Sequence, residues 1–121
     1  MRPVAPCVAW PILLRMSNQK RIQEIKQELA SVPTLPGVYL WKDKNGQVIY
    51  VGKAKQLRAR MKQYVMGQDE RAKIPMMLEQ IDSFEYIVVE NEHESLVLEK
   101  NLIRQYAPFF NADFNAVFVK Y

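Results

Sequence analysis

Apolar residues fall along this chain first at helical spacing, then in short runs, then at helical spacing again. Ile22, Ile25 and Leu29 mark one stripe, with Ser17 or Asn18 placed to cap the helix that carries it. Pro33 and Pro36 end that helix and lead into Gly37, Val38, Tyr39, Leu40 and Trp41, a first strand. The turn Asp43, Lys44, Asn45, Gly46 sets an Asn-Gly pair between two strand-like runs, so a second strand, through Val48, Ile49, Tyr50 and Val51, returns antiparallel to the first. Tyr39 and Tyr50 thus sit on neighbouring strands, although the pattern does not decide whether they share a face. Gly52 and Lys53 read as the turn that follows. Leu57, Arg60, Met61 and Tyr64 then recur at helical spacing, which sets Arg60 and Tyr64 one turn apart on one face.

Gly67 and Asp69 break this helix, and Ile74 to Ile81 predicts another, with Pro75 near its start and Met76, Met77, Leu78 and Ile81 as core packing. Phe84 to Val89 is aromatic and β-branched, a third strand that is apolar on both faces and so expected at the centre of the sheet. Asn91, with Glu94 three residues on, caps a last helix that runs to about Tyr106, ahead of Pro108. The first 15 residues read as an extension outside the fold. Their prolines Pro3, Pro6 and Pro11 interrupt an apolar run too short to span a bilayer, and Met16 offers a second start. The organisation expected is therefore an extension over 1–15, a helix over 16–33, a domain over 34–111 and a tail over 112–121. That tail, with Phe114, Val117, Phe118, Val119 and Tyr121, is expected to pack back onto the domain, to pair with another chain, or to mark where a longer protein continues.

Composition narrows the chemistry. At 121 residues and 49% apolar content the chain supports one core. One cysteine, Cys7, excludes an internal disulfide, and one histidine, His93, expected at the surface, excludes His- and Cys-rich zinc cages; a reducing cytoplasm suits both. Any metal would be a hard cation such as magnesium or manganese, held by a carboxylate and water. The net charge of +4 is modest but uneven. No Asp or Glu lies between Asp43 and Asp69, whereas Lys44, Lys53, Lys55, Arg58, Arg60 and Lys62 all do, a local field suited to phosphates. Lys55, Arg58 and Lys62 fit a solvated helix face equally well.

Arg60 is different. A guanidinium among core-facing positions cannot discharge by losing a proton and must find an anion. Glu99 poses the matching question, since it stands between Leu96, Leu102, Ile103 and Tyr106 on the last helix. It is either half of an ion pair with Arg60, Arg104 or Lys100, or a metal ligand or catalytic acid. A carboxylate with one divalent ion, a guanidinium and a tyrosine would together suffice to hydrolyse a phosphodiester. No segment carries Asn, Gln and Arg at groove-reading positions, so sequence-specific base readout is not expected.

With these residues in place, the chain resembles the GIY-YIG nuclease family, in particular the amino-terminal domain of its UvrC excision-repair branch. Pro36-Gly37-Val38-Tyr39 matches the first motif and Tyr50-Val51-Gly52-Lys53-Ala54-Lys55 the second, each with valine for isoleucine. Leu57, Arg60 and Tyr64 follow at the family's spacing, Leu98-Glu99-Lys100-Asn101-Leu102-Ile103 resembles its glutamate helix, and Tyr106, Pro108 and Asn111 fall where the family has them. The resemblance implies an α/β (α+β) fold, a small three-stranded antiparallel sheet flanked by helices. It implies a DNA endonuclease that uses one divalent cation, Mg2+ or Mn2+, incises on the 3′ side of a lesion in nucleotide excision repair, and works with a UvrB-like subunit and no membrane. By position, Glu99 is the implied metal ligand, Arg60 the clamp on the scissile phosphate and Tyr50 the general base, with Tyr39, Tyr64 and Lys53 placing phosphate and water. Lys53, Lys55, Arg58, Arg60, Lys62 and Asn111 are the implied DNA contacts, Asn111 from the closing loop. A non-catalytic DNA-binding or partner-recruiting module that keeps the fold is the alternative.

Overall fold

A computed structural model describes residues 9–67, 71 and 73–111, with side chains in the first helix from residue 18 on. The element order is α1 (Ala9–Glu28), a 3-10 turn (Leu29–Ser31), β1 (Gly37–Lys42), β2 (Val48–Ala54), α2 (Leu57–Val65), α3 (Lys73–Leu78), β3 (Ser83–Val88), α4 (Glu92–Tyr106) and a second 3-10 turn (Phe109–Asn111). The three strands form one antiparallel sheet in the order β2-β1-β3. No described helix is long and apolar enough to cross a membrane. The tail expected over 112–121 lies outside the described residues.

The β1–β2 hairpin forms as the Asn-Gly pair predicts, but its turn is pinned by a third residue. Asp43 Oδ1 accepts from the backbone N–H of Asn45 at 2.9 Å and of Gln47 at 3.0 Å, while Gly46 takes φ +77°, a value that a side chain would strain. The two strands alternate up to a register shift after Trp41, where Ile49 joins Tyr50 on one side, so the sheet builds two cores. Tyr39, Trp41 and Tyr50 face Ile25, Leu29, Leu57, Met61, Tyr64 and Phe110 on one side. Val38, Leu40 and Val51 face Leu102 of α4 on the other, with Leu98 and Ile103 half-buried beside them.

Four expectations are corrected. β3 is an edge strand and β1 is central, because β1 pairs with both neighbours; Tyr86, Ile87 and Val88 of β3 remain exposed. Gly52 and Lys53 are not a turn: β2 continues through them to Ala54, since Gly37 and Val38 of β1 are still there to pair with. α1 as described runs from Ala9, well ahead of Ser17, so neither Ser17 nor Asn18 is a cap, and the Asn18 amide instead donates to the Leu78 carbonyl. α3 is shorter than expected and stops at Leu78. α4 matches expectation at both ends. Asn91 Oδ1 accepts from Glu94 N at 2.9 Å, Glu94 Oε2 accepts from Glu90 N at 2.9 Å, and Ala107, left-handed at φ 43°, closes the helix before Pro108.

Candidate active site

Three tyrosines from three elements converge on one face of the sheet. The Tyr39 ring lies over Gly52, its partner on β2, and a Cβ at Gly52 would run into the Tyr39 hydroxyl and ring; the second motif needs glycine there for this reason. Tyr50, two positions back on β2, therefore shares the face with Tyr39, at 6.3 Å between ring centroids. Tyr64 arrives from α2, with its ring 5.5 Å from Tyr39 and 6.0 Å from Tyr50. The hydroxyls of Tyr39 and Tyr64 share a hydrogen bond of 2.6 Å.

Guanidinium groups reach this cluster from two directions. Arg60 donates from Nη2 to Tyr64 Oη at 3.4 Å, holds its carbon 4.8 Å above that ring, and donates from Nη1 to Gln63 Oε1 at 2.6 Å. Arg71, in the segment before α3, donates to Tyr64 Oη at 3.0 Å and to Tyr50 Oη at 3.4 Å. Two guanidinium donors occupy both lone pairs of the Tyr64 hydroxyl, so its own proton goes to Tyr39. Lys73 lies with Nζ 4.8 Å over the Tyr50 ring and donates to the Phe110 carbonyl at 3.0 Å, which ties the closing turn to the cluster. Helical spacing alone marks Arg60, whereas Arg71 and Lys73 belong to no periodic stripe and no sequence signal marked them; their position between Tyr50 of β2, Tyr64 of α2 and Phe110 is set only by the chain folding back.

Burial holds two of the hydroxyls in their protonated form. Tyr39 is pushed up to about 12, chiefly by desolvation, and desolvation pushes Tyr64 well above the usual tyrosine range, so both stay neutral donors at physiological pH.

Glu99 stands half-buried on α4, one turn beyond the buried Ser95 and one turn before Leu102 and Ile103. No ion pair with Arg60, Arg104 or Lys100 forms, and among the described residues the carboxylate has no hydrogen-bond partner. The ion-pair alternative is thereby removed. The described residues contain no group of three or more acidic, His or Cys side chains, so a divalent cation at Glu99 would complete its shell largely with water, which suits magnesium. A cleft of about 300 Å³ brings the two parts of the site together, because its walls include Lys53 and Arg60 on one side and Glu92 and Ser95 of α4 on the other. Of the remaining candidates, Lys53, Lys55 and Lys62 are exposed, and Arg58 is half-buried with Nε donating to the Val32 carbonyl at 2.7 Å. The Asn111 side chain is engaged with the β2 backbone: it accepts from Val51 N at 2.7 Å and donates to Val51 O at 2.7 Å.

Known proteins match this chain in sequence and in fold. A family model for the UvrC-like GIY-YIG domain matches residues 35–112. The chain is 51% identical over 87 residues to UvrABC system protein C of Caldicellulosiruptor saccharolyticus, covering 72% of this chain and 15% of that protein. It is 57% identical over 81 residues to the same protein of Protochlamydia amoebophila, covering 66% of this chain and 13% of that one. The chain thus spans about a seventh of the length of the curated relatives it matches. Among solved structures it is similar to the GIY-YIG N-terminal endonuclease domain of UvrC from Thermotoga maritima bound to its catalytic divalent cation, magnesium, with 40% identity and a TM-score of 0.66 over 74% of this chain and 97% of that one.

Proposed function

This chain belongs to the UvrC-like GIY-YIG domain family, and on that footing we propose that it is a metal-dependent DNA endonuclease domain that cuts one phosphodiester bond in nucleotide excision repair, on the 3′ side of the lesion. The observation that carries the reading is the tyrosine cluster with two guanidiniums directed into it and an unpaired carboxylate one helical turn from the adjoining cleft. Arg60 and Arg71 present positive charge to the scissile phosphate, where charge develops as the bond breaks. Tyr50, acting as the phenolate after releasing its own proton to solvent, takes the proton of the attacking water, while Tyr39 and Tyr64 remain protonated and hold the hydrogen-bonded chain in register. Glu99 is the ligand of the divalent cation, Mg2+ or Mn2+, which when bound supplies Lewis-acid charge on the phosphate. Lys53, Lys55, Arg58 and Lys62 contact the DNA backbone. Asn111 supports the site through β2. A reducing cytoplasmic setting suits the single cysteine. Within a longer protein the domain would act with a UvrB-like subunit that delivers the DNA, since nothing in the cleft reads bases.

The test is cleavage of nicked, forked or lesion-bearing duplex by the purified chain with manganese or magnesium. Wild type is expected to cut, and Glu99→Ala to lose at least a hundredfold in rate while keeping its unfolding midpoint. Equal rates in the two proteins would remove Glu99 from the mechanism. DNA binding without cleavage by either would favour the non-catalytic module.

A further inference from the structure

The cleft beside the tyrosine cluster has features that hydrolysis of one bond does not require. It is walled by the end of β2, by α2 and by the first turn of α4, and its volume of about 300 Å³ sits at the small end of ligand-sized pockets. Lys53, Lys55 and Arg60 turn three positive charges towards it, against one carboxylate, Glu92. Arg60 joins it to the cluster, because the same guanidinium touches Tyr64 and Gln63, and Gln63 is itself part of the wall. Ser95 joins it to Glu99, one helical turn and about 6 Å further along α4. A strand whose scissile phosphate lay between Arg60 and Glu99 would therefore pass through this cleft within about one to three nucleotides, at 3.4 Å per nucleotide along a duplex strand.

We propose that this cleft is the subsite for a backbone phosphate next to the cleaved bond, taken by Lys53 and Lys55, and that Glu92 is an opposing charge that limits how tightly DNA is held there. The inference rests on the nuclease reading above. Lys55 Nζ pairs with Glu92 Oε1 at 3.6 Å, with side chains 84% and 64% exposed, so the pair is solvent-screened and readily exchanged for a phosphate. Once Lys55 turns to the strand, the Glu92 carboxylate is left facing that strand's negative charge. A domain delivered to DNA by another subunit gains from such a restraint, since tight binding of its own would hold it on undamaged DNA.

Binding of a fluorescein-labelled forked duplex, read by anisotropy in EDTA so that no metal-dependent cutting occurs, tests this on the whole chain. Glu92→Gln should tighten binding about threefold to tenfold. Lys55→Gln should weaken it by a similar factor and reduce the slope of log affinity against log salt by about 0.9, the loss of one phosphate contact. Lys20→Gln, an equal loss of charge on the exposed side of α1, should change both quantities less. All three sites are exposed, and unchanged thermal unfolding verifies the fold. The proposal is overturned if Glu92→Gln leaves affinity unchanged or lowers it, or if Lys55→Gln does no more than Lys20→Gln. Failure of the nuclease reading looks different: the chain would not cut with manganese, yet the binding changes would persist.

Discussion

Tyr39 and Tyr64 share a short hydrogen bond in a water-poor layer, and the energetic consequence falls at alkaline pH. An unfolded tyrosine titrates near pH 10, whereas burial pushes folded Tyr39 up to about 12. Within that window the unfolded chain has released the proton and the folded chain has not, so the Tyr39 contribution to stability is complete below pH 10 and is lost as pH rises towards 12. At about 1.4 kcal/mol per unit the loss is roughly 2 to 3 kcal/mol. Urea unfolding of Tyr39→Phe from pH 9 to 12 should show a decline shallower than wild type by that amount; parallel curves would contradict the burial argument. The same burial keeps the Tyr39 and Tyr64 hydroxyls neutral. Neutral Tyr39 and Tyr64 pass on or accept hydrogen bonds, whereas the mechanism proposed above gives the base role to Tyr50, the ring with Arg71 and Lys73 beside it.

The closing 3-10 turn acts on the site through β2. Asn111 offers Val51 one donor and one acceptor, as a neighbouring strand would, on the outer edge of the strand that carries Tyr50 and Lys53. Val51 is fully buried, so Asn111→Ala leaves two backbone groups without partners and should cost about 1 to 3 kcal/mol in urea unfolding. A change below about 0.5 kcal/mol would mean that water replaces the amide freely. Elements written in local signals were legible from the residues alone. The Asn91 cap with Glu94, the stop before Pro108, the Asn-Gly hairpin and the Arg60–Tyr64 spacing each lie within a few residues and each formed. Strand order was not legible in the same way. Phe84 to Val89 has the composition of a central strand, but its place is decided by β1 pairing across both edges, a contact between distant segments. The fate of Glu99 was ambiguous for a related reason: helical spacing sets its face, but only tertiary packing decides whether a cation comes within reach.

Across the whole molecule the sheet separates two kinds of work. One face, with α1 and α2, packs the tyrosines into a buried layer; the other packs α4 through Leu102, with Glu99 one helical turn beyond Ser95 of the cleft wall. The catalytic centre requires that these two layers meet at the end of β2, where Lys53 and Arg60 face the first turns of α4. That meeting is the central claim, and a metal position tests it more directly than a rate. Crystals of the chain soaked in manganese and measured at the manganese absorption edge should give an anomalous peak bonded to a Glu99 carboxylate oxygen and facing Tyr50 and Arg60, and Glu99→Gln crystals should lack it. A peak away from Glu99, or none at saturating manganese, would contradict a single centre shared by the tyrosine layer and α4.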